Sequence, residues 1–244
     1  MRVTVASESD AITLVSEHGD SGDGWLLARG LDGWLGTPAP KQDAVGLPGL
    51  DGGAMPSLLT AQTRVVTVRA ATRAASPVSL AALRSRLLAM ACRPLTLTVE
   101  DAAGPRSAAC YMSDDPEPDL WPSEDGMTWQ MVLTCPDPRR YGPWASFPVS
   151  GGSATVENPG DAATLPRVVC AGPVTALTAS WGGRSVTWEG AAGDGLDLDL
   201  STMAPARGRV VVDDAFALPP GRSTVAVSAT GATSVSVLAR GCWR

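Results

Sequence analysis

The 244-residue sequence predicts a mainly β protein of two domains with one α-helix. Three observations carry this. Ala, Val, Thr and Ser dominate, alongside 26 Gly and 20 Pro, a mixture that suits strands and turns and offers few helix formers besides Ala. Short alternations of apolar and polar residues recur along the chain, separated by clusters of Gly, Pro, Asp and Asn. Helical spacing occurs convincingly in one place only. A hydrophobic share of 44% and this length give enough chain for a real core, in one large β domain or two of ordinary size.

Taken in order, strands are expected at 2–6, 64–69, 95–100, 128–134, 167–171, 196–200, 208–212, 223–228 and 233–238. The clearest is 95–100, where Leu95, Leu97 and Val99 alternate with Thr96, Thr98 and Glu100. The helix is expected at about 77–91. Ser76 is a good N-cap and Pro77 suits the first helical position. Leu80, Leu83, Leu87 and Leu88 then share a face, with Arg84 and Arg86 turned elsewhere, and Pro94 stops the run. Such a helix covers one face of a sheet. Two stretches, 30–56 and 114–125, are so rich in Gly, Pro or carboxylates that they read as long irregular loops, which usually serve a partner or a function. Prolines from Pro136 onward cannot continue a central strand, and 150–153 is turn-like, so a boundary is placed near 143–149. The domains are then 1–145, a β-sandwich or barrel with the helix, and 146–244, a helix-free β-sandwich.

The residue chemistry argues against an enzyme. His18 is the sole histidine, so any triad would need it and a site of two imidazoles is excluded; it sits in a polar stretch that reads as a surface turn. Asp197 and Asp199 are the best carboxylate pair, yet they alternate with Leu196, Leu198 and Leu200. Alternation sends the leucines to the core and both aspartates outward, and no bidentate Glu follows at a calcium-loop offset. The Gly-rich 19–24 lacks GK[ST] and a following helix, so it is a turn and not a phosphate loop. Cys92, Cys110, Cys135, Cys170 and Cys242 are odd in number and widely spaced, without CxxC; scattered buried thiols in a reducing cytosol are expected. No catalytic, cofactor-binding or metal residue is assigned. No secretory leader or apolar run of membrane-spanning length is visible. A net charge of −6 works against gripping a phosphate backbone; it reads as ordinary solubility or, more sharply, as a surface that repels passing DNA. Eight tryptophans are unusual. Trp25, Trp34, Trp121, Trp144 and Trp188 fall in or near expected loops or strand ends, and several are expected at an interface.

In order and spacing these landmarks resemble the distal tail proteins of siphophages. The resemblance begins with Gly30-Leu31-Asp32-Gly33 and Leu47-Pro48-Gly49-Leu50-Asp51-Gly52-Gly53. It continues through the 64–69 strand and the single helix to Cys135-Pro136-Asp137-Pro138-Arg139-Arg140-Tyr141-Gly142, similar to the ending of that family's first domain. In the second half, Glu157-Asn158-Pro159-Gly160, Leu165-Pro166, Gly195-Leu196-Asp197 and Leu218-Pro219-Pro220-Gly221 resemble the family's galectin-like β-sandwich. The resemblance implies a structural virion protein at the tail tip, made in the host cytoplasm. It implies six copies in a ring through their first domains, joining the tail tube protein to the tip hub around a lumen that passes DNA without binding it specifically. Receptor-binding proteins or host glycans are further partners the family allows, although no large insertion suggests an added receptor-binding module. Two rival readings stay open. One is a carbohydrate-binding module using Trp181 or Trp188; the other is a glycoside hydrolase, which would need Asp197 and Asp199 to face a cleft.

Overall fold

The computed structural model describes residues 1–16, 24–27, 30–49 and 51–244. His18 and all but the last residue of the expected 19–24 turn lie outside them. The chain forms two compact units, Met1–Arg140 with Arg244, and Tyr141–Trp243.

The first unit is a closed β-barrel with one helix. Its strands are β1 (Arg2–Ala6), β2 (Ala11–Ser16), β3 (Trp25–Leu27), a small β4 (Val45–Gly46) and β5 (Gly53–Ala54) pair, β6 (Arg64–Arg73), β7 (Leu95–Asp101), β8 (Gly104–Met112), β9 (Asp119–Leu120) and β10 (Gly126–Cys135). Pairing runs β1-β2-β3-β6-β10-β8-β7 and returns to β1, so seven strands close on themselves. All these pairings are antiparallel except β2 with β3. Closure removes free sheet edges. Strand β9 adds a short rung on β10, inside the stretch expected to be a loop.

Alternation along β6, RVVTVRAATR, buries every second residue in a core shared with Val3, Leu14, Leu97 and Met131. Trp25 and Trp129 meet edge to face there, with centroids 5.9 Å apart, and the Trp129 indole N–H donates to Thr72 Oγ1 at 2.8 Å. Helix α1 (Pro77–Leu88) starts as its cap predicts, the Ser76 hydroxyl accepting from the Ser79 N–H at 3.1 Å. It sends Leu80 and Leu87 into the core, while Leu88 is exposed. It ends three residues before the expected 91. Met90 and Ala91 donate to carbonyls three residues back, and Cys92 turns left-handed at φ 57°.

The second unit holds β11 (Arg140–Pro148), β12 (Ser153–Asn158), β13 (Arg167–Ala171), β14 (Val174–Trp181), β15 (Arg184–Ala192), β16 (Leu196–Asp199), β17 (Arg209–Asp213), β18 (Gly221–Thr230) and β19 (Ser234–Trp243). Five of them form one antiparallel sheet, β12-β18-β14-β15-β17, and four form the other, β16-β13-β19-β11. Inward residues of both, among them Val156, Val168, Leu177, Trp188 and Leu198, make one core, the pattern of a sandwich. The expected boundary at 145/146 falls inside β11. Residues 143–148 are strand rather than linker.

A buried side chain organises the turn after β12. Asn158 is 1% exposed; its amide donates to the carbonyls of Ala162 at 2.8 Å and Leu218 at 3.3 Å. Its Oδ1 accepts from the N–H groups of Gly160 at 3.0 Å and Cys242 at 3.3 Å. Gly160 itself has no room for a Cβ, which would lie 1.9 Å from the Cys242 carbonyl oxygen. The Asn-Pro-Gly run in the sequence is therefore a packing requirement.

Candidate assembly surface

Between Trp34 and β6 the chain makes an arm. Its Gly and Pro content forbids a helix or a long strand, and what remains is a thin, irregular hairpin. The base is a rung between Pro40 and Ala61, where the Lys41 N–H donates to Thr60 O at 2.7 Å and the Gln62 N–H to Ala39 O at 2.9 Å. Gln42 reinforces it, accepting from the Thr60 N–H at 2.9 Å and donating to its hydroxyl at 2.7 Å. Farther out, β4 and β5 close a two-residue ladder, Val45 with Ala54 and Gly46 with Gly53.

The arm is rooted by two buried arginines. Arg64, 1% exposed, donates to the carbonyls of Gly33 at 2.8 Å, Trp34 at 3.1 Å, Gly36 at 2.8 Å and Pro138 at 2.8 Å. Arg140 also donates to Trp34 O, at 2.9 Å, and its guanidinium lies 5.8 Å from the buried Trp34 ring. No carboxylate is paired with Arg64 among the described residues. Burial, and then the charge of Arg140, pull its pKa below the usual guanidinium value. A guanidinium still holds its proton so far above neutral, so the site is a fixed positive charge that clamps carbonyls. Gly33 is required beside it: at φ 81°, a Cβ would lie 2.0 Å from the Val65 carbonyl oxygen.

Among the described residues of 35–63, none is buried. Yet the arm carries Leu35, Val45, Met55, Leu58 and Leu59 at 55–81% exposure. Scattered surface leucines are ordinary, but five on one hydrogen-bonded arm form an apolar surface that a solitary chain leaves in water. At its root an open groove of about 590 Å³ is lined by Pro38, Leu59, Thr60, Pro136, Asp137 and Arg139. The sequence marks 30–56 through its Gly and Pro. It does not mark the returning leg, Leu58 and Leu59, which shows no periodicity.

Other residues singled out by the sequence are placed as follows. Leu196, Leu198 and Leu200 are buried, and Asp197 and Asp199 face outward. Asp197 is paired with Arg167, whose guanidinium lies 4.0 Å from Asp199, so the carboxylates serve an ion cluster on the sandwich surface rather than a cleft. Trp25, Trp34 and Trp188 are core residues, while Trp121 is half-buried. Trp188 is fully buried and its indole N–H donates to Arg207 O at 2.8 Å, so it cannot stack a sugar. Trp181 packs on Phe216 with centroids 6.4 Å apart. Trp144 is 37% exposed, with Arg240 and Arg167 lying 4.6 and 5.4 Å from its ring. Cys110, Cys135, Cys170 and Cys242 are buried and Cys92 is exposed. Among the described residues no cluster of His, Cys, Asp or Glu could hold a metal, and no helix is long and apolar enough to cross a membrane.

This barrel, single helix and sandwich recur, over nearly the full length, in a solved structure from a bacterial virus. The Dit (gp 19.1) protein of phage SPP1, described as a paradigm of the hub adsorption apparatus in phages infecting Gram-positive bacteria, superposes with a TM-score of 0.70. The match covers 99% of each chain at 15% sequence identity. The chain shares its fold with SPP1 Dit. Two structures of the phage p2 baseplate in its activated conformation agree. The one with Sr gives a TM-score of 0.62 at 7% identity over 98% of each chain. The one with Ca gives 0.56 at 6% identity over 99% and 98%. No family model matches the chain, and no curated protein matches it. The mainly β reading and the likeness to distal tail proteins thus rest on three-dimensional similarity, at identities too low for a sequence match.

Proposed function

We propose that this protein is a structural component of a phage tail tip, a distal tail protein that assembles six copies into a ring between tail tube and tip hub. The observation that carries the reading is the arm: an ordered hairpin, rooted by Arg64 and Trp34, that presents apolar side chains to solvent in the single chain. A cyclic ring needs two different complementary patches on each protomer, and the arm is one of them. The other is a surface of the neighbouring barrel. The whole-length likeness to SPP1 Dit and to a chain of the p2 baseplate supports the tail-tip location. The net charge of −6 fits a lumen through which DNA passes without being held. The second unit, a sandwich of four- and five-stranded sheets, fits the galectin-like domain that accompanies the ring-forming one. No step of this role requires catalysis.

Electron microscopy of the purified full chain tests the proposal. Sixfold rings with a central opening are expected. Particles of single-chain size at every concentration would overturn it.

A further inference from the structure

We propose that Cys110 and Cys135 are a redox pair that closes to a disulfide when the protein meets a peroxide, stapling the barrel between β8 and β10. These strands are registered through Leu133 with Met112 and Thr134 with Tyr111. One further step in the same register sets Cys135 opposite Cys110. The kind of pair follows from the ladder. The Ser113 N–H donates to Val132 O at 2.9 Å, which makes 113 and 132 a hydrogen-bonded pair. Hydrogen-bonded and non-hydrogen-bonded pairs alternate along an antiparallel ladder, so 110 and 135 are non-hydrogen-bonded. Such pairs bring Cα atoms to about 4.5 Å and side chains closest together, at the near end of the separations a disulfide spans.

The two thiols act on each other's ionisation: the Cys110 thiol, with the Arg64 charge close by, holds the Cys135 pKa down, while Cys135 and burial push Cys110 up. Cys135 is therefore the thiol that gives up its proton more readily, and Cys110 the partner that keeps it. An open groove of about 440 Å³ reaches the edge of the pair: Cys110 and Pro136 line it with Arg93, Pro94 and Tyr111, while Cys135 itself is fully buried.

The chemistry balances with hydrogen peroxide as oxidant. The Cys135 thiolate attacks one peroxide oxygen, the O–O bond breaks, and sulfenic acid and hydroxide form. The Cys110 sulfur then attacks the sulfenic sulfur, the S–O bond breaks, and hydroxide leaves. The protons given up by Cys110 and, on ionising, by Cys135 neutralise the two hydroxides, so two thiols and one peroxide give one disulfide and two waters.

The test uses the full, folded chain. It is treated with hydrogen peroxide, unreacted thiols are alkylated after denaturation, and the digest is mapped by mass spectrometry. No Lys or Arg lies between Cys110 and Cys135, so cleavage at acidic residues is needed to separate them. Of the five free thiols, Cys110 and Cys135 are expected to disappear together as one linked peptide. The melting temperature should rise by roughly 5–10 °C and fall back on reduction. Cys92→Ser, which removes the exposed thiol, should leave the link intact. Oxidation confined to Cys92, a bridge that includes Cys92, or a 110–135 link formed only after unfolding would overturn the proposal. Cys135→Ala should abolish the thermal shift; if that variant does not fold, the map of the unaltered chain still decides.

Discussion

Replacing Met55 and Leu58 together by aspartate should break the assembly and leave the fold alone. Both side chains stand well out from the arm, at 81% and 67% exposure, and neither belongs to a core cluster. Folding stability should therefore change by no more than about 0.5 kcal/mol, the usual range for surface substitutions. In the proposed ring the same side chains are buried against a neighbour. Full burial of a Leu or Met is worth about 1.5–3 kcal/mol, and scaling by the exposed fractions gives roughly 1–2 kcal/mol for each position. Two carboxylates that must stay wet at a former apolar contact add to this. A loss of about 3–4 kcal/mol at each subunit contact corresponds to a dissociation constant raised roughly 100- to 1000-fold. A dilution series followed by light scattering after gel filtration measures it, with circular dichroism and thermal melting as controls for the fold. An assembly midpoint within threefold of the unaltered protein, with the fold intact, would refute the role given to the arm.

Three further outcomes are expected. Asn158→Ala should destabilise the second unit by about 2–4 kcal/mol, because two carbonyls and two N–H groups lose their buried partner; tryptophan fluorescence in urea reads this, and a loss below about 1 kcal/mol would contradict the network. Asp10 is held below its usual pKa, chiefly by the hydrogen bond from Arg86, whose guanidinium nitrogen lies 2.9 Å away. A depressed carboxylate stabilises above its unfolded pKa and loses that stabilisation as pH falls through the folded value. Asp10→Asn should therefore weaken the protein at pH 7, by less than about 1 kcal/mol for so solvated a pair, and the difference should shrink as the pH falls below the ordinary carboxylate range. Lys41, the sole lysine, sits in the arm, so a lysine-specific protease cuts there alone; assembly should slow that cleavage about tenfold or more, and equal rates for dilute and assembled protein would place the arm outside the interface.

Local chemistry made some features legible from sequence. Ser76-Pro77 marked the helix start because a cap and a proline act on the turn they begin. Leu196, Leu198 and Leu200 marked a strand and also settled the direction of Asp197 and Asp199, since one periodicity fixes both faces. Features that depend on distant partners were not legible. The barrel closes where β8 meets β10, pairing Met112 with Leu133 and Tyr111 with Thr134, a register no local pattern encodes. For the same reason Cys110 and Cys135 read as scattered thiols. Strand β11 was hidden by Gly142 and Pro143, which local rules assign to turns. The Gly and Pro density of 30–56 did reveal an unusual segment. That Trp34 anchors it while Leu58 and Leu59 return along it depends on Arg64, whose four carbonyl partners all lie far from it in sequence, three at 33–36 and one at Pro138.

Native mass spectrometry of the full chain, sprayed from volatile buffer at micromolar concentration, tests the central claim most directly. The account predicts a dominant species near 150 kDa, six times the 25.1 kDa chain, that falls to single chains in the Met55→Asp, Leu58→Asp variant. A spectrum holding only the 25.1 kDa chain, or an assembly of another size that ignores the two substitutions, would contradict it.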